Sequence, residues 1–201
     1  MPATTPPTLV LTVRPGTLSR LSTLLQRGFL VPCSGPLPLQ DFLLGLPGFN
    51  QQYIASRIET IFINGCAADS LEEILQPGNT VALSAAMPGL AGAIFRKGGA
   101  HASLRSKPVS SRPVQSTSDG FITLKLFNMI ATETVEMLLP HGILIKGSVL
   151  TRFFHRQQER LRTLLVDIRH DASSPSLEEA RLFVQSHAVI RLVVREVPVE
   201  S

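Results

Sequence analysis

Two carboxylates, an imidazole and a guanidinium fall within the five residues Asp167-Ile168-Arg169-His170-Asp171, at the end of an expected strand. Strand ends in clefts are where acids and bases are tuned for proton transfer. The same composition also describes a solvated strand end, and that reading is favoured because charged side chains are mostly exposed. A second pattern is Arg152, Arg156 and Arg160. Spaced four apart on an expected helix, they share one face about a turn from each other, and guanidinium groups grip phosphate oxygens in pairs of hydrogen bonds. The competing reading is a solvated helix face. A third set, Arg96, Lys97, Arg105, Lys107 and Arg112, lies between Glu73 and Asp119, where no acidic residue occurs. Such a stretch suits an anionic partner, nucleic acid or acidic protein, although basic linkers are common.

Other chemistry has no carrier. The sequence holds no G-x-S-x-G elbow, no P-loop and no G-x-G-x-x-G after a strand, so no catalytic residue is assigned and the chain is read as not an enzyme. Cys33 and Cys66 form no C-x-x-C pair and stand at no metal-ligand spacing from a histidine. The five histidines, His101, His141, His155, His170 and His187, are scattered singly, for which packing or surface roles are the rule. No metal and no cofactor is expected.

The totals bound the rest. With 201 residues, 44% hydrophobic and 17% charged, the chain can bury one large core or two small ones. Its formal charge of +4 is mild, and 5% aromatic residues without a tryptophan leave little for stacking bases. No stretch approaches the roughly 18 apolar residues of a membrane span, and the opening MPATTPPTLVL lacks the layout of a secretory signal. A cytoplasmic protein without membrane contact is expected.

The elements that must position these groups follow from periodicity and turn residues. Leu9 to Val13 reads as a strand, ended by Arg14-Pro15-Gly16. Thr17 is placed to cap a helix with Leu18, Leu21, Leu24 and Leu25 on one face, closed by Gly28. Phe29 to Cys33 is a short strand, and Pro36-Leu37-Pro38 leads into a helix burying Leu39, Phe42, Leu43 and Leu46. Ile58 to Ile63 is a strand before the hairpin signal Asn64-Gly65. A short helix is expected over Leu71 to Leu75, then the turn Pro77-Gly78-Asn79 and the strand Thr80 to Leu83.

After the small-residue run SAAMPGLAGAIFRKGGAHA, the Ser/Pro/Thr-rich segment 106–118 has the composition of a linker. Beyond it, FITLKLFNMI predicts a strand and Thr132 to Leu139 a helix. A strand over Ile143 to Lys146, a helix over Ser148 to Leu161 and a strand over Leu164 to Ile168 follow. Ser176 with Glu179 makes a capping box for a helix to Ser186, and Val189 to Val197 is the terminal strand. The boundaries drawn on this basis are 8–95, a connector over 96–118, and 119–201. Two pieces, LLQRGFLV from Leu24 and LLPHGILI from Leu138, share the pattern Leu-Leu-x-x-Gly before three apolar residues, as any helix, terminal glycine and strand would.

The run Ile61-Phe62-Ile63-Asn64-Gly65, followed by Pro77-Gly78-Asn79-Thr80-Val81-Ala82-Leu83, resembles the second half of the sulfur-carrier proteins related to the molybdopterin-synthase small subunit and the thiamine-biosynthesis carrier. The string ALSAAMPGLAGAIFRKGG and what precedes it also resemble bacterial proteins of unknown function that carry such a domain. The resemblance covers about a quarter of the chain. It implies an α+β fold class, a ubiquitin-like β-grasp unit followed by a second small α/β unit, and it identifies Gly98-Gly99 as the counterpart of the carrier's terminal glycines. That chemistry needs a free glycine carboxylate, and here about a hundred residues follow, so cleavage after Gly99 would have to precede it. Whether Leu9 to Val13 is the first β-grasp strand, or the sheet takes a strand from the second unit, the sequence leaves open. The functional expectation is a non-enzymatic interaction or scaffold protein with a protein partner. The alternatives are a processed carrier precursor, and a nucleic-acid or nucleotide binder using Arg152, Arg156, Arg160 and the basic connector.

Overall fold

The computed structural model describes residues 5–86, 120–171 and 173–198. In chain order the elements are β1 (Thr8–Val13), a 3-10 turn (Leu18–Leu21), α1 (Thr23–Arg27), β2 (Phe29–Pro32), β3 (Leu37–Pro38), α2 (Leu39–Leu44), α3 (Gln51–Arg57) and β4 (Thr60–Ile63). Then come β5 (Cys66–Ala67), β6 (Ile74–Leu75), β7 (Thr80–Ser84), β8 (Phe121–Leu126), α4 (Asn128–His141), β9 (Ile143–Lys146) and α5 (Gly147–Arg156). The last are α6 (Gln158–Leu164), β10 (Leu165–His170), α7 (Leu177–Gln185) and β11 (Val189–Glu196). The chain is thus a mixed α/β protein with mixed parallel and antiparallel strand pairing. It divides into two compact units, Met1–Phe29 with Val135–Ser201, and Leu30–Thr134.

The first unit holds strands in the order β10-β1-β11-β9. Leu9, Leu11 and Val13 alternate inward along β1, as a pleated strand with one face on a core requires. β1 runs parallel to β11, with Thr8 opposite Arg191 and Val13 opposite Glu196, and antiparallel to β10. β11 runs antiparallel to β9, with Val189 opposite Lys146. Leu192, Val193 and Val194 are buried in succession on β11, so both faces of this strand are covered. The open question of β1 has its answer in these ladders: its partners come from residues 165–196, far along the chain, and the compact units interleave the sequence instead of following it serially.

The second unit holds strands in the order β2-β8-β7-β4-β5, with a separate small pairing of β3 and β6. Asn64 and Gly65 have φ of 53° and 83°, the double positive turn that joins β4 to β5 with Ile63 opposite Cys66. β4 is antiparallel to β7, and β7 is parallel to β8, with Thr80 opposite Thr123. Leu39, Phe42 and Leu43 of α2 and Ile54 of α3 are buried.

Three expected helices differ from what forms. The stretch from Thr17 to Gly28 is a 3-10 turn followed by one short helix, and the Thr17 hydroxyl donates to the Arg14 carbonyl instead of capping. Leu71 to Leu75 is not helical. Leu39 N–H donates to Glu73 O and Gln40 N–H to Leu71 O, both at 2.9 Å, and Leu75 pairs with Leu37, so a long-range ladder replaces the local helix. The expected helix over Ser148 to Leu161 is two, α5 and α6, separated at Gln157, whose ψ of 17° leaves the helical region.

Candidate functional site

α5 shows why a site forms in the first unit. Leu150, Phe153 and Phe154 are buried, and the opposite face presents Ser148, Arg152, His155 and Arg156 to solvent. The helix is strongly amphipathic, so one side is fixed by the core and the other is left charged. α7 packs beside it through Ala180 and Val184, both buried. Its start is fixed by the capping box, with Ser176 Oγ accepting from Glu179 N–H at 3.3 Å and the Glu179 carboxylate accepting from Ser176 N–H at 2.8 Å. The Ser176 N–H and hydroxyl, each donating to the Glu179 carboxylate at 2.8 Å, hold that carboxyl below the usual range.

The contact between the two helices depends on Gly147. Its N–H donates to the Ala188 carbonyl at 2.9 Å, and a Cβ at this position would stand 2.0 Å from the His187 carbonyl oxygen and 2.5 Å from that of Val184. No other residue type lets the start of α5 come so close to the end of α7.

Between the exposed sides of α5 and α7 runs a groove in two adjoining parts. One, of about 530 Å³, is lined by Lys146, Ser148, Thr151, Arg152, Gln185 and His187 among others. The other, of about 350 Å³, shares Thr151, Arg152 and Gln185 and adds His155, Arg156 and Arg181. Among the described residues, Lys146, Arg152 and Arg156 enter no ion pair, whereas Arg181 is paired with Glu178. Charge is distributed to match. Residues 30–134 carry as many Lys and Arg as Asp and Glu, so the whole formal excess of +4 belongs to the unit that contains the groove. A groove with three uncompensated cations and donor side chains from Ser148, Thr151 and Gln185 can hold several anionic oxygens.

Of the residues that the sequence singles out, Arg152 and Arg156 line the groove. Arg160 stands on α6, beyond the break at Gln157, and lines neither part. Arg96, Lys97, Arg105, Lys107, Arg112 and Gly98-Gly99 lie outside the described residues. The Asp167 to Asp171 stretch turns inward on itself. Arg169 Nε donates to Asp167 Oδ2 at 2.7 Å, His170 Nε2 stands 3.2 Å from Asp171 Oδ2, and the His170 ring packs on Phe183 with centroids 3.6 Å apart. Its groups are spent on one another and on packing. Sequence reasoning missed Lys146 and Arg181, which come from a strand end and from a second helix. No local spacing links either to Arg152.

A second polar cluster sits in the unit of residues 30–134. The Tyr53 hydroxyl on α3 donates to Glu133 Oε2 at 3.0 Å, and Arg57 Nη2 stands 3.5 Å from Glu133 Oε1. Burial, then the Glu133 carboxylate, pushes the Tyr53 phenol well above its ordinary value, so it stays protonated and keeps donating to Glu133. Among the described residues no group of three potential ligands could hold a metal, and no helix is long and apolar enough to cross a membrane. In comparisons with known proteins, no family model, no curated protein and no solved structure matches this chain.

Proposed function

We propose that this chain is a non-enzymatic binding protein whose working surface is the groove between α5 and α7 and whose ligand is anionic. One observation carries the reading: Lys146, Arg152 and Arg156 arrive from a strand end and two successive helix turns, Lys146 and Arg152 line one part of the groove and Arg152 and Arg156 the adjoining part, and none has an acidic partner among the described residues. The lack of an ion pair is shared with Arg160, Arg191 and Arg195 among the described residues, so the convergence of three such cations on one groove is what points to a ligand. Calorimetric titration with inorganic tripolyphosphate at low salt tests it. Binding by the native chain and its loss in a Lys146→Ala/Arg152→Ala/Arg156→Ala variant is the expected result. Equal heats from both proteins would overturn the reading.

We further propose that residues 30–134 form a β-grasp unit in permuted order. The support is the parallel pairing of β7 with β8 in mid-sheet, flanked by the antiparallel β4–β7 pair. The strand parallel to β7 would then be supplied from Phe121 to Leu126, after the segment that resembles the carriers, instead of from the beginning of the unit. On this reading the fold is a scaffold and brings no sulfur chemistry with it.

A further inference from the structure

We infer that the ligand of the α5–α7 groove is the sugar–phosphate backbone of a single-stranded nucleic acid, held without base readout. The inference rests on the anionic-ligand reading of the groove and names its chemistry. Three features of the lining decide between classes of anion.

The first is what the lining lacks. Neither part of the groove is lined by Phe, Tyr, Trp or a large aliphatic side chain, and its only rings are the imidazoles of His187 and His155. A protein segment gains most of its affinity from a few large apolar or aromatic anchors, and the lining holds no large apolar side chain to receive them. A free nucleotide likewise needs a broad surface for its base, and the lining offers only the small imidazoles of His155 and His187, the latter already packed on Phe183 with centroids 4.5 Å apart. A phosphodiester backbone needs neither, because cations and hydroxyl or amide donors suffice for its oxygens.

The second is length. The two hollows share Thr151, Arg152 and Gln185 and so form one elongated channel along α5, of about 530 and 350 Å³. From Lys146 at the start of the helix to Arg156 at its end is about 15 Å of helical rise. That is room for a run of several backbone phosphates and far more than one phosphate group fills.

The third is the spacing of the cations. Arg152 and Arg156 stand one turn apart, about 6 Å along the axis, and Lys146 lies about 9 Å before Arg152. Separately exposed cations strung out over about 15 Å suit a ligand whose charges follow one another along a strand. A compact anion would draw on only one or two of them.

The test is fluorescence anisotropy with short labelled oligonucleotides of different base composition, over salt from about 50 to 200 mM. Three contacting cations at about 0.7 each predict a log–log salt slope near −2, an affinity loss of about twentyfold over that range. Affinities should agree between base compositions. Arg152→Ala should weaken binding to every oligonucleotide alike and bring the slope to about −1.4. Unchanged binding by the triple alanine variant, or a strong preference for one base, overturns the assignment. The arms separate two failures. If tripolyphosphate binding is lost in the triple variant but oligonucleotides do not bind, the anionic groove stands and the nucleic-acid assignment falls. If a poly-glutamate peptide displaces a bound oligonucleotide at equal charge, the ligand class is wrong in the same way.

Discussion

Replacing Gly147 by alanine tests the contact on which the groove is built. The new Cβ would fall 2.0 Å from the His187 carbonyl oxygen and 2.5 Å from that of Val184, where ordinary contact is about 3.5 Å. Both atoms belong to backbone, so no side chain can swing aside, and α5 and α7 must separate by about 1.5 Å. Overpacking of this kind costs about 3 kcal/mol. The gain in helix propensity from glycine to alanine, about 1 kcal/mol in a helix interior, is smaller at the first helical position. A net loss of about 2 to 3 kcal/mol remains, which should speed the slowest amide exchange in β1 and β11 about 30- to 150-fold. Hydrogen exchange read by mass spectrometry is the assay, because it isolates the unit concerned. Gly45→Ala is the control: Gly45 has a helical φ of −74°, and its Cβ would meet the Asp41 and Phe42 carbonyl oxygens at 3.5 Å. It should leave stability unchanged within about 0.5 kcal/mol. If Gly147→Ala behaves like the control, the close approach of the two helices is wrong, and the groove with it.

Tyr53 is the single tyrosine, so absorbance at alkaline pH reports it alone. Its phenolate should not appear at the ordinary value of about 10, and Glu133→Gln should bring the onset down. A wild-type transition at the ordinary value refutes the buried hydrogen bond to Glu133. The Glu196 carboxylate accepts from the backbone N–H groups of Leu18 at 2.9 Å and Thr17 at 2.8 Å, which lowers its pKa. A depressed folded value means that its stabilisation is present above the unfolded glutamate pKa of about 4.3 and is lost as pH falls through the folded value. Urea unfolding should therefore show Glu196→Gln less stable than the native chain at neutral pH, with the gap closing in acid; a gap constant with pH refutes it.

How far the sequence discloses this protein depends on the distance over which each feature is decided. The alternation in Leu9 to Val13, the Asn64-Gly65 turn and the Ser176 to Glu179 capping box are settled by neighbours, and each is found as expected. Leu24 to Val31 and Leu138 to Ile145 also match in form, since Gly28 and Gly142 both end helices with positive φ, 98° and 96°, before a strand. Leu71 to Leu75 has helical spacing and still forms a strand end, because Leu37 and Leu39 offer it a ladder that no local pattern announces. The partners of β1 are likewise out of reach, with Leu9 opposite His170 and Leu192. The site follows the same rule. Arg152 and Arg156 share one helix and line the groove, whereas that helix ends before Arg160, which lines neither part. Lys146 joins them only through the start of α5, and Arg181 only through the packing of α7.

Gly147 and the three cations can be separated by what each does to binding. Arg152→Ala removes one counterion-releasing contact, so it should change the salt slope by about 0.7. Gly147→Ala removes no charge. It moves α5 relative to α7, which carries Gln185 and is followed by His187, the residues opposite Ser148 and Arg152 across the groove. Binding should then weaken at every salt concentration while the slope stays near its native value, because the same cations still meet the strand in a worse-fitting channel. If the slope falls as far in Gly147→Ala as in Arg152→Ala, the anion is held by loosely placed surface charge and the groove has no part in positioning it. If affinity survives Gly147→Ala intact, binding runs along the exposed face of α5 alone, and α7 is scaffold.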